Sequence, residues 1–276
     1  MRIVMPLFDF ANESEEEVQF LNGAYAVRRN DLTENDPRID LPGISQVDRK
    51  FISNEQWALV AQDPDLNRYA EEVNLLLLSF KIFTLGKLFI KFRICDTDTS
   101  LCRIIKDRMG YIPSNASTKL ITRKQLQEVA IGFDRLLEIY GTNSDSNRTH
   151  NAIFFLYAAY FNTAHALSFF ALLFIVLEAL FSKDQGGSAT KTICERVSAF
   201  LERRERCTYP EIEKLYQIRS ELVHGRRLAS DANENLAVAH ELEFVVSECM
   251  KKILTDRLYC LYNDPTKREE YFETLT

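Results

Sequence analysis

The stretch Leu215–Leu228, LYQIRSELVHGRRL, gathers more potential chemistry than any other part of the chain. Arg219 precedes His224 by five positions, Gly225 follows at once, and Arg226 and Arg227 come next. An imidazole titrates near neutral pH and gives or takes a proton there. A guanidinium stays charged and holds a phosphate through two N–H groups. Together they suit attack of a ribose 2′-OH on its neighbouring phosphate. His224 would move the proton, and Arg219 would stabilise the charge building on the phosphorane. Such a reaction needs no metal.

The spacing alone is a weak signal. Five residues on an α-helix turn through about 500°, so the two side chains point roughly 140° apart. Either the helix loosens at Gly225, or a second copy completes the site across a dimer. The competing reading makes Arg219 a buried salt-bridge partner with no chemistry. Nearby bases raise the same choice. Arg203, Arg204, Arg206, Arg226 and Arg227 would track an RNA backbone, or would be a solvated helix end favoured by the helix dipole.

Other chemistries are poorly supplied. The remaining histidines are His150 in a polar loop, His165 in an apolar run and His240 on the last long helical pattern. The latter two read as core histidines. No HExxH, paired-His or Cys/His spacing is present, so no metal or cofactor is expected. No phosphate-binding glycine loop or GxSxG elbow occurs either. The six cysteines are scattered and form no CxxC pair, which reads as reduced thiols in a cytoplasmic protein. The first residues, MRIVMPLFDFANESEEE, lack the basic start and long apolar core of a signal peptide.

The elements that must position the motif are helical. Thr122 and Gln125 fit a capping box that opens a helix through Leu126, Val129, Ala130, Phe133, Leu137 and Tyr140. Asn151–Phe181 then reads as one long apolar helix. From Thr149 to Leu177 it holds no Asp, Glu, Lys or Arg, so it is either the central helix of a bundle or a membrane span. Asn162, Thr163, His165 and Ser168 interrupt it and favour the buried helix. Gly186-Gly187 breaks the chain. Helices follow around Ile193–Leu201, from Pro210 to Val223, and from Asn233 to Leu261.

The first part of the chain is different. Arg2–Phe10 and Val18–Val27 read as strands, and Asn54–Ala61 as a short helix around Trp57. Leu88–Ile94 alternates Ile90, Phe92 and Ile94 with Lys91 and Arg93, the pattern of a half-buried strand. The expected fold class is therefore α+β. A mixed, β-containing region (1–118) precedes an all-α bundle (119–264) and a C-terminal tail (265–276). In 276 residues, 46% are apolar and 27% charged, which excludes a disordered or fibrous chain. The net charge of -6 excludes a globally basic nucleic-acid coat, but residues 191–227 carry 9 bases against 6 acids.

Four features occur in order: LEALF at Leu177–Phe181, a glycine-bearing gap, a helix ending in RRERC, and YQIRSELVHG. Over about residues 120–262 this order resembles the Apea-like branch of the HEPN superfamily. The resemblance implies a helical bundle that usually dimerises, with the Arg-x4–6-His motifs of two chains facing each other. It implies a metal-independent endoribonuclease in a toxin, abortive-infection or anti-phage system, with an RNA substrate and an antitoxin or defence partner. On that pattern Arg219 and His224 are the catalytic pair. Glu178 is the acid of LEALF and a partner for Arg219; Tyr216 and Ser220 support the site. Ser220 stands where many active members have Asn, Asp or His, and it moves no proton at neutral pH. That leaves a second expectation, a non-catalytic scaffold binding RNA, nucleotide or a protein.

Overall fold

The first residues of the chain read RIVMPLF, apolar without a strict period of two, as expected of a strand covered on both faces. In the computed structural model they form the centre of an antiparallel sheet. The structure describes residues 2–8, 10–13, 16–39, 44–62, 64, 68–85, 88–96, 103–106, 120–141, 148–163, 165–183, 189–224 and 232–275. The chain divides into two units: residues 1–109 with 114–134, and 110–113 with 135–276. The architecture is α+β, with the sheet in the first unit and helices in the second.

The first unit opens with β1 (Arg2–Phe8), β2 (Ala11–Asn12), β3 (Val18–Phe20) and β4 (Tyr25–Arg29). Helix α1 (Gln46–Asn54), β5 (Trp57–Gln62) and α2 (Tyr69–Thr84) follow. Then come β6 (Phe89–Ile90), β7 (Phe92–Asp96), β8 (Arg103–Lys106), β9 (Leu120–Ile121) and the start of α3 (Arg123–Gly141). The sheet runs β3-β4-β5-β1-β7-β8, with β6 also on β1, and β2 pairs with β9 separately. Val4 lies opposite Val60 on one side and Ile94 on the other. The second side is interrupted at Met5 and Pro6, between the β7 and β6 pairings. A proline has no N–H to give there.

Both faces of the sheet are covered. Val4, Ala58, Val60, Phe92 and Ile94 pack with Leu32 and Ile39 and with Ile52 from α1. On the opposite face lies α2, buried along almost its whole length. Its Phe80 meets Phe10 and Phe20 edge-on at 6.0 and 5.9 Å. Tyr69 donates to the Met5 sulfur at 3.1 Å, and Tyr25 donates to Glu72 at 2.6 Å. Ser79 of α2 donates to the Val129 carbonyl of α3 at 2.7 Å. The helices meet so closely that a Cβ on Gly132 would lie 2.2 Å from Phe83 Cε2.

The second unit holds the end of α3 with α4 (Arg148–Asn162), α5 (Ala166–Phe181), α6 (Ala189–Phe200), α7 (Tyr209–Val223), α8 (Ala232–Thr255) and α9 (Pro265–Leu275). Helix α5 packs against α4, α6 and α8. Phe181, Phe200 and Phe272 bring the ends of α5 and α6 onto α9, with ring centroids 5.3 to 6.5 Å apart.

Several expectations are corrected. Asn54–Ala61 is not a helix around Trp57: α1 ends at Asn54 and Trp57 begins β5. That strand is buried on both faces, so it has no alternation to reveal it. The single helix Asn151–Phe181 is two, α4 and α5. Thr163 turns its hydroxyl back onto the Ala159 carbonyl at 2.6 Å, and His165 is extended (φ -126°, ψ 137°). His165 is thus an exposed residue at the start of α5, not a core histidine. His150 lies on α4 and stacks on Tyr140 at 5.5 Å, not in a loop. The inner face of α3 carries Leu136 and Ile139 in place of Leu137 and Tyr140. The last long helix stops at Thr255, because Arg257 is left-handed (φ 56°) and starts a separate short turn. Pro265–Leu275 is a helix whose Arg268 and Phe272 are buried. The expected breaks at Gly186-Gly187 and Gly225 lie outside the described residues. Among the described residues no helix is long and apolar enough to cross a membrane.

Gly132 gives a direct check on the α2–α3 packing. Gly132→Ala gains about 1 kcal/mol of helix propensity but forces a methyl into the Phe83 ring, an overpacking cost of roughly 1–3 kcal/mol. Urea denaturation should show a net loss of stability. Adding Phe83→Leu should recover part of it.

Candidate functional site

The motif helix α7 starts from a strong local signal. Thr208 and Glu211 form a capping box: the Glu211 carboxylate accepts from the Thr208 N–H at 2.9 Å and its hydroxyl at 2.8 Å. Pro210 sits in the first turn, where its missing N–H costs nothing. Ile212, Leu215, Tyr216 and Ile218 are buried. Arg219, Ser220 and His224 lie on the less buried side, and Ser220 and His224 are exposed. His224 ends the helix (φ -86°, ψ 6°), and its N–H still bonds the Ser220 carbonyl at 3.0 Å.

Opposite this helix stands the end of α5, whose last carbonyl groups would otherwise be unpaired within the bundle. Arginines from three helices take them. Arg148 of α4 donates to the carbonyls of Ala179 (3.0 Å) and Ser182 (3.2 Å) and to the Ser182 hydroxyl (2.8 Å). Arg196 of α6 donates to the Phe181 carbonyl at 3.3 Å. Arg268 of α9 donates to the Ser182 carbonyl at 3.1 Å. Cations at a helix C-terminus are also favoured by its dipole. Glu269 compensates the two buried guanidiniums, bonding Arg196 at two points and Arg268 at 2.7 Å. Burial alone would raise the Glu269 carboxyl, but the bonds and charges of Arg196 and Arg268 hold it below its ordinary value of 4.5.

Glu178 sits in this capped last turn. Its Oε1 lies 2.9 Å from Nη2 of Arg219, and both side chains are about one-third exposed, at 32% and 35%. Tyr216, one turn earlier on α7, is buried with its ring 4.6 Å from Phe174. Its hydroxyl has no hydrogen-bond partner among the described residues. Burial pushes its phenol far up, and the Glu178 charge adds to this against Arg219. Tyr216 therefore keeps its proton at neutral pH. The structure thus brings Arg219 and Glu178 together, buries Tyr216 behind them, and leaves Ser220 and His224 open on the surface.

The basic residues separate. Arg204 pairs with Glu248 of α8 at 3.5 Å, and Arg206 lies over the Phe244 ring at 4.5 Å. Arg203 instead lines a cleft with α6 and α9 residues. Arg226 and Arg227 lie outside the described residues. Cys194, Cys207 and Cys249 are buried, and burial pushes Cys194 up to about 12 and Cys207 to about 11, whereas Cys260 is exposed. No group of three metal-ligating side chains is found among the described residues. Sequence reasoning missed a buried polar node on α8. Glu243 accepts from Tyr160 at 3.0 Å and lies 3.0 Å from His240 Nδ1. Only the apolar company of Tyr160 hinted that its hydroxyl needed a buried partner.

Compared with known proteins, the chain matches no family model, no curated protein and no solved structure.

The Glu269 cluster predicts an acid response. Its carboxyl titrates lower in the folded chain than in the unfolded chain, so the folded state binds fewer protons. The stabilisation is complete above about pH 4.5 and is lost as pH falls through the depressed folded value. Glu269→Gln should destabilise at pH 7 by roughly 1–3 kcal/mol, because two buried guanidiniums lose their counter-charge. The gap to wild type should narrow on acidification, measured by urea denaturation across pH 7 to 3.

Proposed function

We propose that this protein is a cytoplasmic, metal-independent endoribonuclease of HEPN type that acts in a toxin or anti-phage defence role. The observation that carries the proposal is the Arg219–Glu178 pair, which holds a guanidinium on the exposed side of the helix that ends in His224. A partly exposed guanidinium is free to exchange one carboxylate bond for an RNA phosphate. His224, on the surface at the helix end, would take the proton from the 2′-OH or deliver one to the leaving 5′-oxygen. The new bond joins the 2′-oxygen to phosphorus as the bond to the 5′-oxygen breaks, leaving a 2′,3′-cyclic phosphate. Glu178 orients Arg219, and Tyr216 packs behind the pair.

The helix geometry favours a homodimer for this activity. His224 keeps its bond to the Ser220 carbonyl, so α7 does not loosen before it. Arg219 and His224 of one chain then remain roughly 140° apart, and one phosphate is better reached by Arg219 of one copy and His224 of another. Arg203, Arg204 and Arg206 would contribute at most weakly to RNA binding, since two of them are engaged with α8. Any antitoxin or defence partner would act on this surface or on the first unit.

One observation favours a second reading, a non-catalytic scaffold. Arg219 is paired with Glu178, and Ser220 beside it transfers no proton. Such a protein would use the same surface to bind RNA, nucleotide or a protein partner.

Expression in cells separates the two readings. Wild type, Arg219→Ala and His224→Ala are induced at matched levels while growth and total RNA integrity are followed. The ion pair, about one-third exposed, is worth no more than about 1 kcal/mol, so Arg219→Ala should still fold. The nuclease reading expects growth arrest and RNA fragmentation in wild type alone. Equal harmlessness in all three favours the scaffold, and equal toxicity removes Arg219 and His224 from the site.

A further inference from the structure

A cleft of about 380 Å³ opens at the beginning of α7, between α6 and α9. Three cations line it: Arg196 of α6, Lys183 just beyond the end of α5 and Arg203 in the turn after α6. Arg196 is paired with Glu269, whereas Lys183 and Arg203 have no carboxylate partner among the described residues. Arg204 and Arg206, in the same turn as Arg203, are each engaged. Arg203 is also held in place by its backbone. It adopts a left-handed conformation (φ 54°), and its N–H bonds the Ser198 carbonyl at 2.9 Å. The fold accepts a left-handed non-glycine residue at a position that lines the cleft.

The rest of the lining narrows the ligand. A lysine and an arginine with no carboxylate partner among the described residues, on one concave wall, are a common way to hold a phosphate. The same cleft carries the carboxylates Glu195 and Glu273. These repel a polyanionic backbone, which argues against a nucleic-acid strand. They do accept hydrogen bonds from hydroxyl and amino groups. Tyr209, whose hydroxyl donates to Glu213 at 3.1 Å, and Phe272 also line the cleft. The volume falls within the range of small-molecule sites.

We propose that this cleft binds a nucleoside monophosphate, with its phosphate on Lys183 and Arg203 and its donor-bearing nucleoside between Tyr209 and the carboxylates of Glu195 and Glu273. The proposal does not rest on the nuclease reading. Arg219 lies ten positions after Tyr209 on α7, about 15 Å along the helix axis, so the two sites are separate. Ligand at this end of α7 would be placed to report a metabolite to the motif at the other.

Calorimetric titration of the full chain tests it. The four ribonucleoside monophosphates, adenosine and inorganic phosphate are each used as probes. At least one monophosphate should bind, and adenosine and phosphate should bind at least about tenfold more weakly. Lys183→Gln and Arg203→Gly should each weaken the monophosphate about tenfold or more. Glycine is at ease at a left-handed position, so Arg203→Gly removes the guanidinium without straining the turn. Thermal melting without ligand checks that both variants fold. Arg219→Ala should bind as wild type does. The proposal is overturned by no binding of any monophosphate at millimolar concentration, or by phosphate binding as tightly as the nucleotides. Binding unchanged in both cleft variants, or lost in Arg219→Ala, would overturn it too.

Discussion

A helix that ends inside an apolar bundle must find donors for its last carbonyl groups, and in this protein α5 finds them on three arginines. Arg148, Arg196 and Arg268 come from α4, α6 and α9 and converge on Ala179, Phe181 and Ser182. Unpaired, those carbonyls would each cost about 1–3 kcal/mol. The charges that satisfy them create a second demand, because buried guanidiniums need a counter-ion. Glu269 meets it, and the Phe181–Phe200–Phe272 cluster packs around the same place. The end of α5 is therefore where four helices of the second unit are tied together.

This constraint reaches the candidate site directly. Glu178 belongs to the turn that the arginines hold, and its own carbonyl accepts from the Ser182 N–H at 3.1 Å. A carboxylate borne on a backbone fixed in that way gives Arg219 a defined resting place. The pair itself adds little to stability at one-third exposure. Its consequence is orientation: the guanidinium stays at the surface, on the helix that ends in His224. Tyr216 supports the arrangement by packing on Phe174, with a phenol that stays protonated.

What the sequence made legible was local. The Thr122–Gln125 capping box is present, with bonds of 3.0 and 3.2 Å, because a cap is decided within four residues. The alternation at Ile90, Phe92 and Ile94 marked real strand residues because one face differs from the other. Trp57–Gln62 hid as a strand because both of its faces are covered. The division of α4 from α5 lies at His165, whose extended backbone nothing in the local composition announces. At the site, Arg219 and His224 were visible as residue types at suggestive spacing, and Glu178 only through the resemblance carried by LEALF. The arginine cap was not, since its members lie far apart in the chain and look like surface charge. The different fates of Arg203, Arg204 and Arg206 were hidden for the same reason: Glu248 and Phe244 come from a helix much later in the sequence.

The chemistry of the new RNA ends tests the central claim most directly. RNA from cells expressing the wild type and His224→Ala would be compared by mass spectrometry of its fragment termini. The account predicts 2′,3′-cyclic phosphates and 5′-hydroxyls that accumulate with the wild type and are absent with the variant. Fragments that end in 3′-hydroxyls and 5′-phosphates, or cyclic ends equally abundant with His224→Ala, would contradict it.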